Sequence, residues 1–294
     1  PPVGGGGGSE SHHAKQAGIL DVQGDGLLRP GSSVRERMEV AKLMAAEKHV
    51  SRSRVQGVQG DGLLRPGSSG RERITVEKLM AAEKHVTRSR IQGAHGDVGG
   101  DRMRVGPNGI GMHNYAPIYA RHLPDVLTKA GPLVLAETGI LTCTGLAMWQ
   151  HLWPDSHIYG FDWRPDACLS NIPSLQQVGF RNDSVHVNRM DQQDTVGKNV
   201  ALIESVLGND RLDIVIDDGL HTPLAGLRTF ASFHPFLADK FAYFIEDIPK
   251  PQIVHGRWKS VQNGVMQECA YCNITFECPV AARKPECVAV IRRG

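Results

Sequence analysis

Two short apolar segments in the second half of the chain, residues 214–216 and 241–245, each run directly into acidic residues. Such segments are typical of strands in a parallel sheet, which are covered on both faces and bind ligands beyond their carboxyl ends. If the two strands are neighbours, the polar side chains that follow them share one crevice. In chain order, these side chains are Asp217, Asp218, His221, Glu246 and Asp247.

The four acids of this group predict a cation site. Clustered carboxylates repel one another, so they persist at low cost only if a cation or protons neutralise them. A hard divalent cation beside the histidine would form a site that activates a hydroxyl group. Because Asp217 and Asp218 are adjacent in a strand, they point to opposite faces, and we expect only one of them to reach the metal. Glu246 and Asp247 can both reach it only if the strand ends there, which Pro249 favours.

Apolar runs alternate with helical patterns from about residue 113 to the end of the chain. This alternation predicts an α/β fold with a doubly wound, mostly parallel sheet of seven strands. Right-handed crossovers then bring the carboxyl ends of the parallel strands to one crevice. We predict strands at residues 133–136, 158–162, 184–188, 212–216, 241–245, 273–277 and 287–291, the last two antiparallel, and helices at 115–129, 146–152, 195–207 and 224–237.

Polar residues also follow the first three predicted strands. Glu137 and Gly139 follow the first strand, where a glycine lets the backbone approach a ligand. Asp162 ends the second strand and could accept both hydroxyls of a ribose, although a surface or capping aspartate is as consistent with this residue alone. After the third strand, Asp191 and Gln192 could contact the edge of a base, and helix capping is the alternative for that segment.

The order of these motifs resembles that of the class I S-adenosylmethionine-dependent methyltransferases. Glu-x-Gly, Ile-Tyr-Gly-x-Asp, Asp-Gln-x-Asp, Asp-Ile-x-Ile-Asp-Asp-Gly-x-His and Ile-Glu-Asp follow one another between residues 137 and 247. The last two motifs are similar, more narrowly, to the metal-dependent sugar O-methyltransferases of the macrocin and mycinamicin type. The resemblance covers residues 113–294 and implies a Rossmann-like methyltransferase fold.

The resemblance also implies an activity, which is methyl transfer to a hydroxyl group of a sugar or glycosylated small molecule. The cofactors would be S-adenosylmethionine and Mg²⁺, and the partner would be a small-molecule hydroxyl acceptor. The resemblance implies that Glu137 and Gly139 line the methionine end of the cofactor. It also implies that Asp162 holds the ribose and that Asp191 and Gln192 face the adenine. For Mg²⁺ they are Asp218, Glu246 and Asp247, with His221 as the general base.

Three residues depart from the usual pattern of that family. Cys143 stands where a second glycine is usual, Gly145 where a small polar residue is usual, and Leu220 where a serine is usual. A cysteine side chain could crowd the carboxylate end of the cofactor. One alternative is therefore a degenerate methyltransferase fold that binds a ligand or partner without catalysis. A metal-dependent hydrolase would also use the acid cluster, but it leaves Asp162 and Asp191 without a function.

The N-terminal part of the chain has a different composition. A Gly-rich head covers residues 1–21, residues 22–57 are repeated with few changes as 58–93, and residues 94–112 resemble a linker. Each copy has seven Lys and Arg against four Asp and Glu. Two copies are too few for a solenoid, so we expect a poorly ordered, mostly exposed arm with a helix near residues 71–90. The alternative is a basic arm that docks on an acidic partner or nucleic acid, and the lack of aromatic residues disfavours nucleic acid.

Composition limits the remaining function classes. The formal net charge is +2, with 33 basic and 31 acidic residues, which disfavours a nucleic-acid or membrane binder. No apolar run approaches the roughly 18–20 residues of a membrane span. The chain begins without Met or a signal-peptide pattern, which suggests a fragment, and its six cysteines predict reduced thiols in an intracellular compartment. The sequence does not decide whether the protein forms a homo-oligomer. It also allows a zinc site or a disulfide among Cys269, Cys272, Cys278 and Cys287 as alternatives to free thiols.

Overall fold

The computed structural model describes residues 73–87, 102–103, 113–279 and 286–293. The Gly-rich head and the first copy of the repeat lie outside the described residues, as does most of the predicted linker. The expectations for those segments stay predictions.

Seven strands within the described residues form one sheet. They are β1 (Val134–Thr138), β2 (His157–Asp162), β3 (Val185–Arg189), β4 (Leu212–Asp217), β5 (Leu237–Pro249), β6 (Cys272–Glu277) and β7 (Glu286–Arg293). Their order in the sheet is β3-β2-β1-β4-β5-β7-β6. β1 to β5 run parallel, and β7 pairs antiparallel with both β5 and β6. The predicted doubly wound, mostly parallel sheet is confirmed.

Each face of the sheet carries its own hydrophobic core. In β4, Ile214 and Ile216 pack in one core and Val215 packs in the other. In β7, Val290 and Ile291 divide in the same way. Because side chains alternate between the two faces and both faces are covered, the middle of each of these strands is a continuous apolar run.

Helices within the described residues cover both faces of the sheet. They are α1 (Val76–Val86), α2 (Ala116–His122), α3 (Thr144–Leu152), α4 (Asp166–Gln176), α5 (Val196–Leu207), α6 (Pro223–Phe233), α7 (Lys250–Val254) and α8 (Lys259–Glu268). Buried residues of α1 to α4 belong to one core, and those of α5, α6 and α8 to the other.

Some helices differ from the sequence-based expectation. The helix predicted at 115–129 ends at His122 and continues only as a 3₁₀ turn, Val126–Thr128. Pro124 explains the break, because proline removes a backbone donor and clashes with the preceding turn. Helix α4 was not predicted, since it contains Pro173 and buries only three residues. The short helices α7 and α8 were also missed, and both lie after β5.

Helix α1 belongs to the second copy of the repeat and packs on the domain. Its N-terminus is capped by Thr75, whose Oγ1 accepts a hydrogen bond from the backbone N–H of Lys78. Leu79 is fully buried, and Val86 is almost so, in the core that includes α3. The expectation of a mostly exposed arm is therefore wrong for this helix. Its thin apolar stripe is sufficient because α2 and α3 offer a matching apolar surface.

All six cysteines are paired as disulfides, which corrects the prediction of reduced thiols and excludes the four-cysteine zinc site in this structure. The pairs are Cys143–Cys168, Cys269–Cys272 and Cys278–Cys287, with Cα–Cα distances of 4.8, 5.3 and 4.1 Å. The third pair links the neighbouring strands β6 and β7, which explains why residues nine apart in sequence meet. The expectation of an intracellular compartment rested on reduced thiols and loses that support.

Among the described helices, none combines the length and the apolar character that crossing a bilayer requires.

The backbone after β1 requires a glycine at position 139. Gly139 has φ +79°, and a Cβ atom there would lie 2.0 Å from the carbonyl oxygen of Asp218. We expect Gly139→Ala to lower the free energy of unfolding by roughly 3 kcal/mol, from backbone strain plus the clash. Gly179→Ala is the control, because Gly179 has φ +93° with open space around it, and it should cost only about 1 kcal/mol. Urea denaturation measures both, and equal losses would contradict the close approach of the two loops.

Candidate active site

The carboxyl ends of β1, β4 and β5 bring four acidic side chains together. Glu137 lies in β1, Asp218 directly follows β4, and Glu246 with Asp247 lies in β5. All four line one cavity. The two acids of β5 reach it in an unexpected way, because the strand does not end there. Its pairing with β7 shifts register between Ile245 and Ile248, and this bulge turns both acids toward the cavity.

A buried arginine joins three of these acids. Nη2 of Arg102 lies 2.9 Å from Oε1 of Glu137 and 2.7 Å from Oδ2 of Asp218, and Nε lies 2.7 Å from Oε2 of Glu246. Only 11% of the arginine side chain is exposed. Burial alone would lower the pKa of Arg102, but the three carboxylates raise it well above its ordinary value, so the guanidinium stays charged. Sequence reasoning missed this residue, because it stands alone in a segment that resembles a linker.

Two tyrosines of α2 bind two of these acids, Tyr115 from the N-cap position and Tyr119 from within the helix. The hydroxyl of Tyr119 donates a 2.6 Å hydrogen bond to Oε1 of Glu246, and the hydroxyl of Tyr115 donates a 2.7 Å bond to Oδ1 of Asp247. Burial, followed by the nearby acids, raises the pKa of both tyrosines well above the ordinary value, so both remain donors. Their spacing of four residues in a predicted helix was the signal that could have found them.

Glu137 is held on both carboxylate oxygens. Oε1 faces Arg102, and Oε2 accepts a 2.8 Å hydrogen bond from the indole N–H of Trp149 in α3. A Cβ atom at position 145 would lie 2.2 Å from Oε1 of Glu137. The departure from the family pattern at Gly145 therefore makes room for this carboxylate.

A second group surrounds the open side of Asp218. One ligand atom from each of Asp218, His221 and Asp247 lies within 4.8 Å of the other two, a spacing that can hold a metal ion. Nδ1 of His221 is buried without a hydrogen-bond partner. His221 and Asp247 have φ values of +49° and +56°. Non-glycine residues adopt such conformations rarely, and they concentrate at functional sites.

A third group shares Asp247 with the second. Nδ1 of His113 lies 2.9 Å from Oε2 of Glu286 and 3.2 Å from Oδ1 of Asp247. These three residues also lie close enough to hold an ion. His113 therefore lies within ion-pair distance of both carboxylates.

The residues predicted to contact the ribose and adenine lie at the ends of β2 and β3. Asp162 accepts hydrogen bonds from the backbone N–H groups of Arg164 at 2.8 Å and Leu141 at 3.3 Å. Asp191 accepts a 2.8 Å bond from the N–H of Gln193. Both aspartates therefore shape their own loops. Their roles toward a cofactor stay predictions.

Gln192 differs from these two, because its side chain turns into the protein. Its Nε2 donates to Oδ1 of Asp217 at 2.6 Å and to Oγ1 of Thr229 at 2.7 Å, while its Oε1 accepts from the N–H of Leu220 at 2.8 Å. Asp217 points away from Asp218, as the alternation of the strand requires. In this structure Gln192 ties β4 to α6, so a contact with adenine would require these bonds to change.

Cys143 does not line the cavity. Its sulfur is bonded to Cys168 in α4, and its φ of +62° keeps the conformation that a glycine would adopt. The effect of Cys143 on a bound cofactor stays a prediction.

The cavity itself is small in this conformation. Its volume is about 60 Å³, and besides the acids it is lined by Arg102, Gly139 and Met148, with Glu83 and Val86 from α1. Pockets for small molecules usually measure roughly 300–1,000 Å³. Arg102 and α1 fill much of the space between the strand ends.

Comparisons with known proteins return methyltransferases among solved structures. A MycE methyltransferase from the mycinamycin biosynthetic pathway, in complex with Mg and SAH, is 18% identical over 76% of this chain and 56% of that chain, with a TM-score of 0.48. A putative O-methyltransferase from Klebsiella pneumoniae is 10% identical over 85% and 96% of the two chains, with a TM-score of 0.49. An O-methyltransferase from Bacillus cereus in complex with SAH is 9% identical over 87% and 100%, with a TM-score of 0.48.

The match to MycE spans little more than half of that protein. No protein-family model and no curated protein sequence matches the chain. The fold assignment therefore depends on the sheet itself. Its strand order, and the antiparallel position of β7 between β5 and β6, agree with the resemblance in the sequence. The chain has a Rossmann-like methyltransferase fold. In open sheets of this kind, ligands bind where the strand order reverses, which is here the carboxyl ends of β1 and β4, where Glu137 and Asp218 meet.

The ion pairs of Arg102 predict a large effect on stability. Arg102→Met leaves the buried carboxylates of Glu137 and Glu246 and the partly buried Asp218 without their counter-ion. We therefore expect the free energy of unfolding to fall by roughly 3–5 kcal/mol. The control is Arg121→Met, because Arg121 is 64% exposed and pairs with Glu277 at the surface; it should cost less than about 1 kcal/mol. Urea denaturation at pH 8 measures both. Equal and small losses would show that the acids do not depend on Arg102.

The acid cluster also predicts a pH dependence. Burial raises the pKa of Asp218 to about 7 from an ordinary value of 3.8. Between about pH 4 and about pH 7 the folded protein holds a proton that the unfolded chain has released, so the free energy of unfolding falls as pH rises through this window. Asp218→Asn should flatten that fall, whereas Asp239→Asn should not, because Asp239 is 99% exposed. Urea denaturation between about pH 5 and about pH 8 measures the slopes, and parallel curves for all three proteins would contradict the assignment.

Proposed function

We propose that the protein is an S-adenosylmethionine-dependent O-methyltransferase that uses Mg²⁺ and acts on a hydroxyl of a sugar or glycosylated small molecule. The observation that supports this most is the convergence of Asp218, His221 and Asp247 within 4.8 Å at the ends of β4 and β5. Carboxylate oxygens are the preferred protein ligands of Mg²⁺. A histidine beside them is suited to accept a proton from a hydroxyl group.

The loop after β1 supports a cofactor site. Gly139 lets this loop lie against the backbone of Asp218. The carboxylate of Glu137 would suit the ammonium group of the methionine moiety once Arg102 has moved away from it. Asp162 stands at the end of β2, where a ribose would lie. When bound, the cofactor supplies the electrophilic methyl group and the cation supplies a Lewis acid for the acceptor oxygen.

The chain's own residues then position the acceptor and move its proton. Asp218 and Asp247 would hold the cation. His221 would accept the proton of the acceptor hydroxyl on Nε2, because Nδ1 is buried. Glu246, the third implied ligand, is bonded to Arg102 and Tyr119 in this conformation. It would join the cation site only when the guanidinium has moved away.

The alternative function is a methyltransferase fold that binds a ligand without catalysis. The observation in its favour is Arg102, which already neutralises part of the acid cluster, so that no metal is needed for stability. Titration of the protein with Mg²⁺ and S-adenosylhomocysteine distinguishes the two, because the alternative predicts no metal binding. The full chain is required, since Arg102 and α1 line the cavity.

The general base gives the most specific test of the proposed function. His221→Ala should bind S-adenosylhomocysteine with unchanged affinity in calorimetry. Its rate of transfer of a labelled methyl group from S-adenosylmethionine to glycoside acceptors should fall by about 10²–10⁴. His255→Ala is the control, because His255 is an exposed histidine that does not line the cavity. A rate equal to that of the wild type would remove His221 from the mechanism.

A further inference from the structure

Arg102 and α1 occupy the region that the ligands of the proposed function require. Nη2 of Arg102 bridges Glu137 and Asp218, which the proposed function assigns to the cofactor and to Mg²⁺ respectively. Nε holds Glu246, the third implied metal ligand. One guanidinium thus lies where the proposed function places two positively charged groups, which are the ammonium of the cofactor and the divalent cation.

The guanidinium and the ligands are not compatible in this position. A guanidinium has five donors and no acceptor, so it cannot itself coordinate a metal ion. A divalent cation beside Asp218 would lie next to a fixed positive charge in a buried site, where repulsion is strong. The cavity of about 60 Å³ leaves no room for a molecule the size of S-adenosylmethionine while α1 is docked.

The docked segment packs mainly on helices of the domain. Helix α1 buries Leu79, Ala82 and Val86 against α2 and α3. The carboxylate of Glu83 accepts a 2.8 Å hydrogen bond from the backbone N–H of Met103, and so joins α1 to the residue after Arg102. The ion pairs of Arg102 with Glu137 and Glu246 are the contacts of this segment that reach the strands. Its departure would break these ion pairs but would leave the strand pairing of the sheet in place.

We propose that α1 together with Arg102 and Met103, the Arg102 plug, is an autoinhibitory element that closes the active site until Mg²⁺ and the cofactor displace it. This inference rests on the proposed function. In the closed state Arg102 forms ion pairs with Glu137, Asp218 and Glu246. In the open state the positively charged ligands would take its place beside these acids. The apparent affinity for the ligands is then reduced by the fraction of molecules in which the plug is docked.

The plug predicts that weakening its docking tightens metal binding. The experiment is calorimetric titration of the full chain with MgCl₂ in the presence of S-adenosylhomocysteine. Arg102→Met and, independently, Leu79→Ala should lower the apparent Kd for Mg²⁺ at least tenfold relative to the wild type. Val261→Ala is the control, because Val261 is equally buried but belongs to α8 and the opposite core; its Kd should equal that of the wild type. Circular dichroism selects conditions in which all four proteins are folded.

Hydrogen exchange of the wild type provides the second readout. Amides of residues 76–86 should exchange at least tenfold faster after Mg²⁺ and S-adenosylhomocysteine are added. The plug is contradicted if the ligands bind while these amides stay protected. It is also contradicted if the ligands bind but Arg102→Met and Leu79→Ala bind Mg²⁺ no more tightly than the wild type. Neither result contradicts the proposed function. If neither the wild type nor the variants bind Mg²⁺ or S-adenosylhomocysteine, the proposed function and the plug both fail.

Discussion

The site is organised by one electrostatic constraint, which is that buried carboxylates at the ends of three adjacent strands need a positive charge. Glu137 and Glu246 are 2% and 1% exposed, so water cannot stabilise their charge. Leaving such groups ionised and unpaired costs far more than a surface ion pair can return. Arg102 meets this requirement with three contacts of 2.7–2.9 Å from one side chain.

Several features far apart in the sequence serve this constraint. The bulge in β5 turns two consecutive acids to the same side of the strand. Because Gly139 has no side chain, the loop after β1 can lie against the carbonyl oxygen of Asp218. Because Gly145 has none, the carboxylate of Glu137 fits beside the start of α3. Tyr115 and Tyr119 supply neutral donors, which satisfy carboxylate oxygens without adding charge. The guanidinium of Arg102 is thus the positive charge that three of these acids share, and it lies where the proposed function places a ligand cation.

The sheet and the acids could be predicted from the sequence because their signals are local. Apolar runs such as 214–216 alternate with helical patterns, and the acids follow the runs directly. The register shift in β5 could not be predicted in this way, because it depends on pairing with β7, about 40 residues later. Arg102 could not be predicted either. Its role arises from tertiary contacts with residues 35, 116 and 144 positions away.

The disulfides also depend on tertiary structure that local sequence signals do not predict. The sequence leaves Cys278 and Cys287 as candidates for a disulfide, yet only the antiparallel pairing of β6 and β7 places their Cα atoms 4.1 Å apart. Helix α1 is a further case, because its stripe of buried residues is too thin to indicate burial alone. The partner surface on α2 and α3 decides its position.

The account depends most on the claim that a ligand cation and the guanidinium of Arg102 alternate at the same carboxylates. A crystal structure of the full chain grown with Mn²⁺ and S-adenosylhomocysteine tests this most directly, because Mn²⁺ scatters anomalously and replaces Mg²⁺ at oxygen sites. The account predicts an anomalous peak bound by Asp218 and Asp247, with Arg102 withdrawn from Glu137 and Asp218. A structure that holds both ligands while Arg102 keeps all three of its ion pairs would contradict it.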